Sequence, residues 1–256
     1  MDRDVFHIME TMRPMRRISS EDVPQELIDK VLTAGGWAPS GLRTQPYRFI
    51  VVRDVQTREK FGASYGAAIK KAFAKILPDE NDTSSDARNL RRAIAFGEEI
   101  QNVPVLLFVC GKRDWPFGVK ADERVGLAPP SYGSVYPCVQ NILLACRALG
   151  LGASLTSIHQ VFEEECVELL EIPETFGIVA VIPIGYPVGK FGPVGRRPAS
   201  EHTFFERWEG GESKQIQKPY FCRNRFTFRV LLLRYLRRLP LPPTFGLGSI
   251  APIITF

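Results

Sequence analysis

The chain has 256 residues, 45% of them hydrophobic and 24% charged, enough for one large domain with a core of its own. Its net charge is +5, but residues 218–256 hold seven Lys or Arg and no Asp or Glu, so removing those seven leaves −2 for the rest. The body therefore gives no electrostatic footprint for nucleic acid, and no segment approaches the roughly 20 apolar residues of a membrane span.

Residues 4–13 read as a short helix ended by Pro14, which brings no backbone donor. Arg13, Arg16 and Arg17 then fall at the helix end or in the loop beyond it. In "SSEDVPQELIDKVLTAGGWAPS", Pro24 suits a first turn and Leu27, Ile28, Val31 and Leu32 recur at helical spacing. Gly35 and Gly36 read as the stop. The loop "WAPSGLRTQP" follows, and "YRFIVVRD" has the β-branched and aromatic content of a strand.

Two helices are expected over 57–76 and 86–101, joined by the polar surface loop "LPDENDTSSD". "VPVLLFVCG" is an unbroken apolar run, the mark of a strand buried on both faces. "YPCVQNILLACRALGLG" is a helix too apolar for the surface, stopped by Gly150 and Gly152. "QVFEEECVELLEI" reads as another helix and "GIVAVIPIGYP" as a second buried strand. A Gly/Pro-rich loop carrying Lys190, Arg196 and Arg197 closes the pattern, and the whole is α+β.

Familiar side-chain chemistry is missing. His7, His159 and His202 have no metal-ligand spacing, and the five cysteines lie apart without a CxxC pair, so no metal is expected. The cysteines read as reduced core residues. The N-terminus "MDRDVFHIMETM" carries acids where a secretory leader carries positive charge, and a cytoplasmic location is the expectation. Ser40 sits in "PSG" and not in GxSxG, and no GxGxxG follows a predicted strand. His159 reads as a packed or loop histidine in preference to a general base. The two basic clusters, Arg13/Arg16/Arg17 and Lys190/Arg196/Arg197, fit either solvated surface charges or guanidinium forks converging on a phosphate, and spacing alone does not choose. A redox cofactor would account for the sparse acid/base chemistry.

Taken in order, "MRPMRR", "WAPSGLRTQPYRFIVV", "NVPVLLFVC", "GSVYPCVQNILLACRALGLGASLTS" and "VIPIGYPVGKFGPVGRRP" resemble the FMN-dependent nitroreductase family over roughly residues 4–208. The resemblance implies a three-layer α+β fold, a mainly antiparallel sheet flanked by helices, in an intertwined homodimer with FMN at the interface. It implies ping-pong transfer of hydride from NADH or NADPH through flavin N5 to an electron-poor acceptor such as a nitroaromatic or quinone. Arg13 would meet the ribityl phosphate region, with Arg16 as a substitute donor, because Met15 stands where the family commonly has a small polar residue. Arg17 would lie near N1 and O2, giving electrostatic support. Arg196 would bind phosphate with Arg197 as its neighbour. Leu155, Thr156, Ser157 and Ile158 would run beside the flavin, one N–H facing N5. Pro39, Ser40, Gly41 and Arg43 would reach the flavin of the partner subunit. Tyr132 and Tyr136 are either acceptor lining or core.

Two rival readings keep the resemblance but change the chemistry: a flavin-binding protein without nicotinamide turnover, and a relative that dehalogenates its substrate or fragments the flavin. The expected domain is 1–209. Residues 210–256 form a basic and apolar extension outside it, whose pattern fits an interfacial helix on anionic membrane or a segment with no fold of its own; the second is the expectation.

Overall fold

Strand β2 (Val105–Lys112) is buried from Val105 to Gly111, so apolar side chains leave it in both directions and both faces of the sheet need a cover. The computed structural model describes residues 4–74, 76–113 and 130–208. On one face Val105, Leu107 and Val109 join Ala180, Ile182 and Ile184 of β4 (Phe176–Gly185) under α2 (Gln25–Gly36) and α5 (Pro130–Ala148). On the other, Leu106, Phe108 and Cys110 pack with Ile178 and Val181 against α3 (Val55–Phe73), α4 (Ser85–Glu98) and α6 (Glu163–Leu169). The result is helix, sheet, helix in three layers, as expected.

The sheet order is β1-β2-β4-β3, every pair antiparallel, with β1 spanning Tyr47–Val52 and β3 only Gly152–Ala153. A register shift between Val109 and Cys110 keeps both buried sets on their proper faces past the irregularity. The short helix α1 (Val5–Thr11) ends ahead of Pro14 with Met12 already extended. The chain divides into two compact units, 1–197 and 198–256. Within the described part of the second, a 3-10 turn spans Ala199–His202 and the rings of Phe204 and Trp208 lie 4.4 Å apart. The expected extension 210–256 lies outside the described residues.

Some local expectations change. Gly35 and Gly36 do not stop α2 through a left-handed residue; they belong to its last turn, and Trp37 follows in right-handed geometry. Gly35 instead lets α5 approach, since a Cβ there would lie 2.8 Å from Ile142 Cγ1 and 3.3 Å from Cys138 Sγ. Gly150 does cap α5: its φ is +80°, its N–H donates to Arg147 O, and Leu151 N–H reaches Cys146 O, a Schellman pair. Gly152, expected with it as a stop, starts β3, a strand too short to read from sequence. The expected helix 160–172 is a 3-10 turn at Ile158–Val161 followed by α6. Helix α5 begins six residues before Tyr136 and runs through Pro137.

Cys110, Cys138, Cys146 and Cys166 are free and buried, and burial pushes Cys110 to about 11 and the other three to about 12. These thiols are packing groups. Two glycines separate close approach from mere permissiveness. Gly35→Val is expected to cost about 1–3 kcal/mol by forcing α2 from α5, whereas Gly133→Ala in α5, where a Cβ meets nothing within 4 Å, is expected to gain up to about 1 kcal/mol of helix propensity. Urea unfolding of both variants checks this.

Candidate functional site

Beyond Thr11 the chain is extended, and Pro14 keeps it so. This first arm pairs antiparallel with a second arm that leaves β4. Ser19 N–H donates to Tyr186 O and Val188 N–H to Arg17 O, both at 2.8 Å, and further along Val194 N–H donates to Glu10 O of α1 at 2.9 Å. Met15 N–H donates to Ala153 O at 3.0 Å, tying the first arm to β3 as well. Gly152 has no room for a side chain here, because a Cβ would stand 3.1 Å from Met15 Cβ and from Pro187 Cβ. Arg147 of α5 anchors the second arm from beneath: its Nε donates to Thr11 Oγ1 at 2.9 Å and its guanidinium lies 4.2 Å from the centre of the Phe191 ring.

Pairing the arms merges part of the two basic clusters. Arg13, Arg16 and Arg17 from the first arm and Lys190 from the second line one cleft of about 540 Å³, and Arg92 of α4 completes its cationic wall. Ile18, Phe96 and Val103 supply apolar surface, and Glu99 is the cleft's carboxylate. The ion pairs among the described residues are Arg53–Asp22, Lys70–Glu98 and Arg113–Glu163, so none of these five cations is neutralised by a carboxylate there. Guanidinium forks with their donors uncommitted are the donor set a phosphate-bearing anion requires.

Arg16 connects the cleft to the segment after β3. Its charge acts on Tyr65, whose phenol is pushed upward chiefly by burial while the Thr156 hydrogen bond and Arg16 pull the other way. Tyr65 Oη and Thr156 Oγ1 are 2.8 Å apart. Thr156 is bridged to Val181 of β4 by both its N–H and its C=O, and Ile158 N–H donates to Thr156 Oγ1. Two of the four expected flavin-side N–H groups are thus already used. Those of Leu155 and Ser157 donate to none of the described residues.

The loop expected to reach a partner's flavin, Pro39 to Arg43, lies away from this cleft. Its polar groups hold the loop itself: Ser40 Oγ accepts from Gln45 N–H, Gly41 N–H donates to the buried Ser134 Oγ, and Thr44 Oγ1 donates to Gly41 O. Leu42, Arg43 and Gln45 have φ of 51°, 56° and 45°, three side-chain-bearing residues in the left-handed region within four positions. Leu42 and the preceding Trp37 are 76% and 78% exposed.

Of the sequence-derived residues, Arg13, Met15, Arg16 and Arg17 come together in the cleft, although Met15 is largely buried under Gly152. Arg196 and Arg197 do not line it, and Arg196 Nη1 donates to its neighbour Gly195 O. Tyr132 and Tyr136 are not core. They are partly exposed, stack edge-on at 5.6 Å, and border a separate cleft with Lys112, Gln160 and Glu163. The sequence reading missed Arg92, Phe96 and Glu99; the signal available was Arg92, Ala95, Phe96 and Glu99 at i, i+3, i+4 and i+7, one helix face.

The nitroreductase family model matches residues 13–186, and the chain belongs to that family. A Methanothermobacter thermautotrophicus protein with the provisional name NADH dehydrogenase/NAD(P)H nitroreductase is 31% identical over 191 residues, 72% of this chain and 78% of that protein. Human iodotyrosine deiodinase 1 is 40% identical over 196 residues, 72% of this chain but 62% of its own length. Among solved structures, an oxidised iodotyrosine deiodinase bound to FMN and 3-iodo-L-tyrosine has TM-score 0.60 at 22% identity, covering 76% of this chain and 96% of that one, a likeness of fold. No described helix is long and apolar enough to cross a membrane.

His159 is a structural group. It is wholly buried, its ring Nε2 lies 3.0 Å from Ile178 O, and its pKa is lowered from 6.5 first by burial, against the opposing pull of backbone bonds and Glu163. A depressed histidine contributes stability that is complete above the unfolded value and is lost as pH falls below it. Stability is therefore expected to drop as pH is lowered from about 6.5 towards 5. The drop should shrink in His159→Gln, measured by urea unfolding at each pH.

Proposed function

We propose that the protein is an FMN-dependent oxidoreductase that takes hydride from NADH or NADPH and passes it to an electron-poor acceptor. The observation that carries this is the convergence in one cleft of uncommitted Arg13, Arg16, Arg17 and Lys190 from distant stretches of the sequence. FMN, when bound, supplies the two-electron hydride chemistry that no side chain here offers. The residues supply grip and charge. Arg13 and Lys190 hold the phosphate end, with Arg196 and Arg197 flanking from further along the second arm. The resemblance gives the pyrimidine edge to Arg17, where a cation favours the electron-rich form. Leu155 or Ser157 is left as the backbone donor to the ring, since Thr156 and Ile158 are engaged.

The same reading makes the protein a homodimer in which Pro39, Ser40, Gly41 and Arg43 serve the neighbouring subunit's flavin. The exposed Trp37 and Leu42 at the loop's edge support it. Reductive dehalogenation is a second reading, favoured by the likeness to human iodotyrosine deiodinase 1.

The test begins with the visible spectrum of the purified protein, then anaerobic addition of NADH and NADPH. A flavin spectrum bleached by either nicotinamide is expected; a protein that cannot be loaded with FMN refutes the proposal. Arg13→Ala should weaken FMN binding about ten- to hundredfold, the loss of one charge-assisted phosphate contact. Arg17→Ala should slow flavin reduction more than it weakens binding. Halide release from a halogenated phenol, without reduction of nitroaromatics or quinones, would favour the second reading.

A further inference from the structure

We propose that the acceptor used by this site carries a carboxylate and that Arg92 recognises it, an inference that rests on the flavin reading above. Arg92, like Arg13, Arg16 and Arg17, differs from the arginines that hold the fold in what it does not do. Arg48, Arg53, Arg58 and Arg113 each donate to backbone carbonyls, and Arg53 and Arg113 also pair with carboxylates. Its neighbour Arg91 is consumed by the loop before α4, donating from Nη2 to the carbonyls of Asp79, Glu80 and Asp82. Arg92, one residue on and therefore turned about 100° around the helix, lines the cleft and makes no hydrogen bond or ion pair with the described residues.

Charge decides what Arg92 is for. The cleft has five cationic side chains and one carboxylate, an excess of four. A phosphomonoester carries about −1.5 to −2 at neutral pH, so the phosphate of the proposed cofactor leaves about two positive charges unanswered. Arg13, Arg16, Arg17 and Lys190 sit on the paired arms, which hold the phosphate and the ring edge on the proposed reading. Arg92 arrives from α4, on another element. Its companions on the same helix face, Ala95 and Phe96, line the same cleft, Phe96 with only the edge of a buried ring. A flat acid matches the planar fork, its carboxylate taken by two parallel N–H donors. A neutral acceptor would leave the surplus charge unmatched and gain nothing from it.

The test uses the FMN-loaded protein and two near-isosteric probes, benzoate and benzamide, titrated while the flavin absorbance is followed. Benzoate is expected to bind about tenfold more tightly, the worth of one charge-assisted hydrogen bond, with the preference weakening as salt rises. Arg92→Ala should abolish the preference and Arg92→Lys retain part of it, while FMN affinity falls far less in either than in Arg13→Ala. In turnover, kcat/KM for para-nitrobenzoate relative to para-nitrobenzamide should fall by the same factor in Arg92→Ala, with the rate of flavin reduction by NADH and by NADPH unaltered. A benzoate preference that survives Arg92→Ala overturns the inference, as does a wild-type protein with no preference. So does a loss confined to reduction by NADPH, which would assign Arg92 to the nicotinamide's phosphate. A protein that binds no FMN refutes the flavin reading and this inference together; one that binds FMN without discriminating the probes refutes this inference alone.

Discussion

The double burial of β2 is the constraint from which the rest follows. A strand apolar on both sides needs helices on both faces, and neither layer then leaves room for charge near the sheet centre. Charged chemistry is displaced to the rim, where strands end and the chain turns extended. The cationic cleft forms at such a place. β4 exits through Gly185 into the second arm, and the first arm lies against it because Met15 and Ile18 pack on the glycines of β3 and β4. A Cβ on Gly185 would approach Ile18 Cγ2 to 2.5 Å, so the closeness of arm and sheet is set by missing side chains.

How arginines are used separates structure from function in this chain. Where a guanidinium holds the fold it answers carbonyls, as Arg58 does for Gln101 and Val103 between α3 and the start of β2. Arg147 goes further, a buried cation that joins α1, α5 and the second arm through Thr11 and the Phe191 ring. The cleft arginines donate to none of the described residues. Held near one another with Glu99 as the cleft's one carboxylate, they carry a repulsive cost that solvent reduces but does not remove, and an anion entering the cleft relieves it. The pairing of the arms converts two sequence clusters that were each compatible with ordinary surface charge into one electrostatic feature.

Much of the fold was legible because its signals are local. The apolar run from Val103 to Gly111 announced a doubly buried strand, and "YPCVQNILLACRALG" announced the core helix. What was illegible depends on tertiary approach. Gly35 looked like a helix stop because glycine most often is one, yet its use is to admit Ile142. β3 is two residues long and owes its existence to β4 and Met15, so no periodicity could mark it. At the site, Arg13, Arg16 and Arg17 were visible as a cluster and through the family resemblance. Arg92 was hidden beside Arg91, because only packing tells which of two adjacent arginines is spent on a loop.

The loop from Ser40 to Gln45 spends polar groups on its own shape. Ser40, Thr44 and Gln45 look like ligand groups, but their hydrogen bonds close the loop upon itself and onto Tyr47 and Gly36. These bonds hold Leu42, Arg43 and Gln45 in left-handed geometry, which costs such residues of order 1 kcal/mol each and persists only where surroundings over-determine it. A loop so braced does not bend back towards its own cleft. It presents Leu42 and Arg43 outward with Trp37 at its root, apolar surface that water does not favour. The braced strain and the exposed apolar edge both make sense for a loop whose ligand lies on another subunit. On the proposed reading these bonds are the scaffold on which Pro39, Ser40, Gly41 and Arg43 are held together.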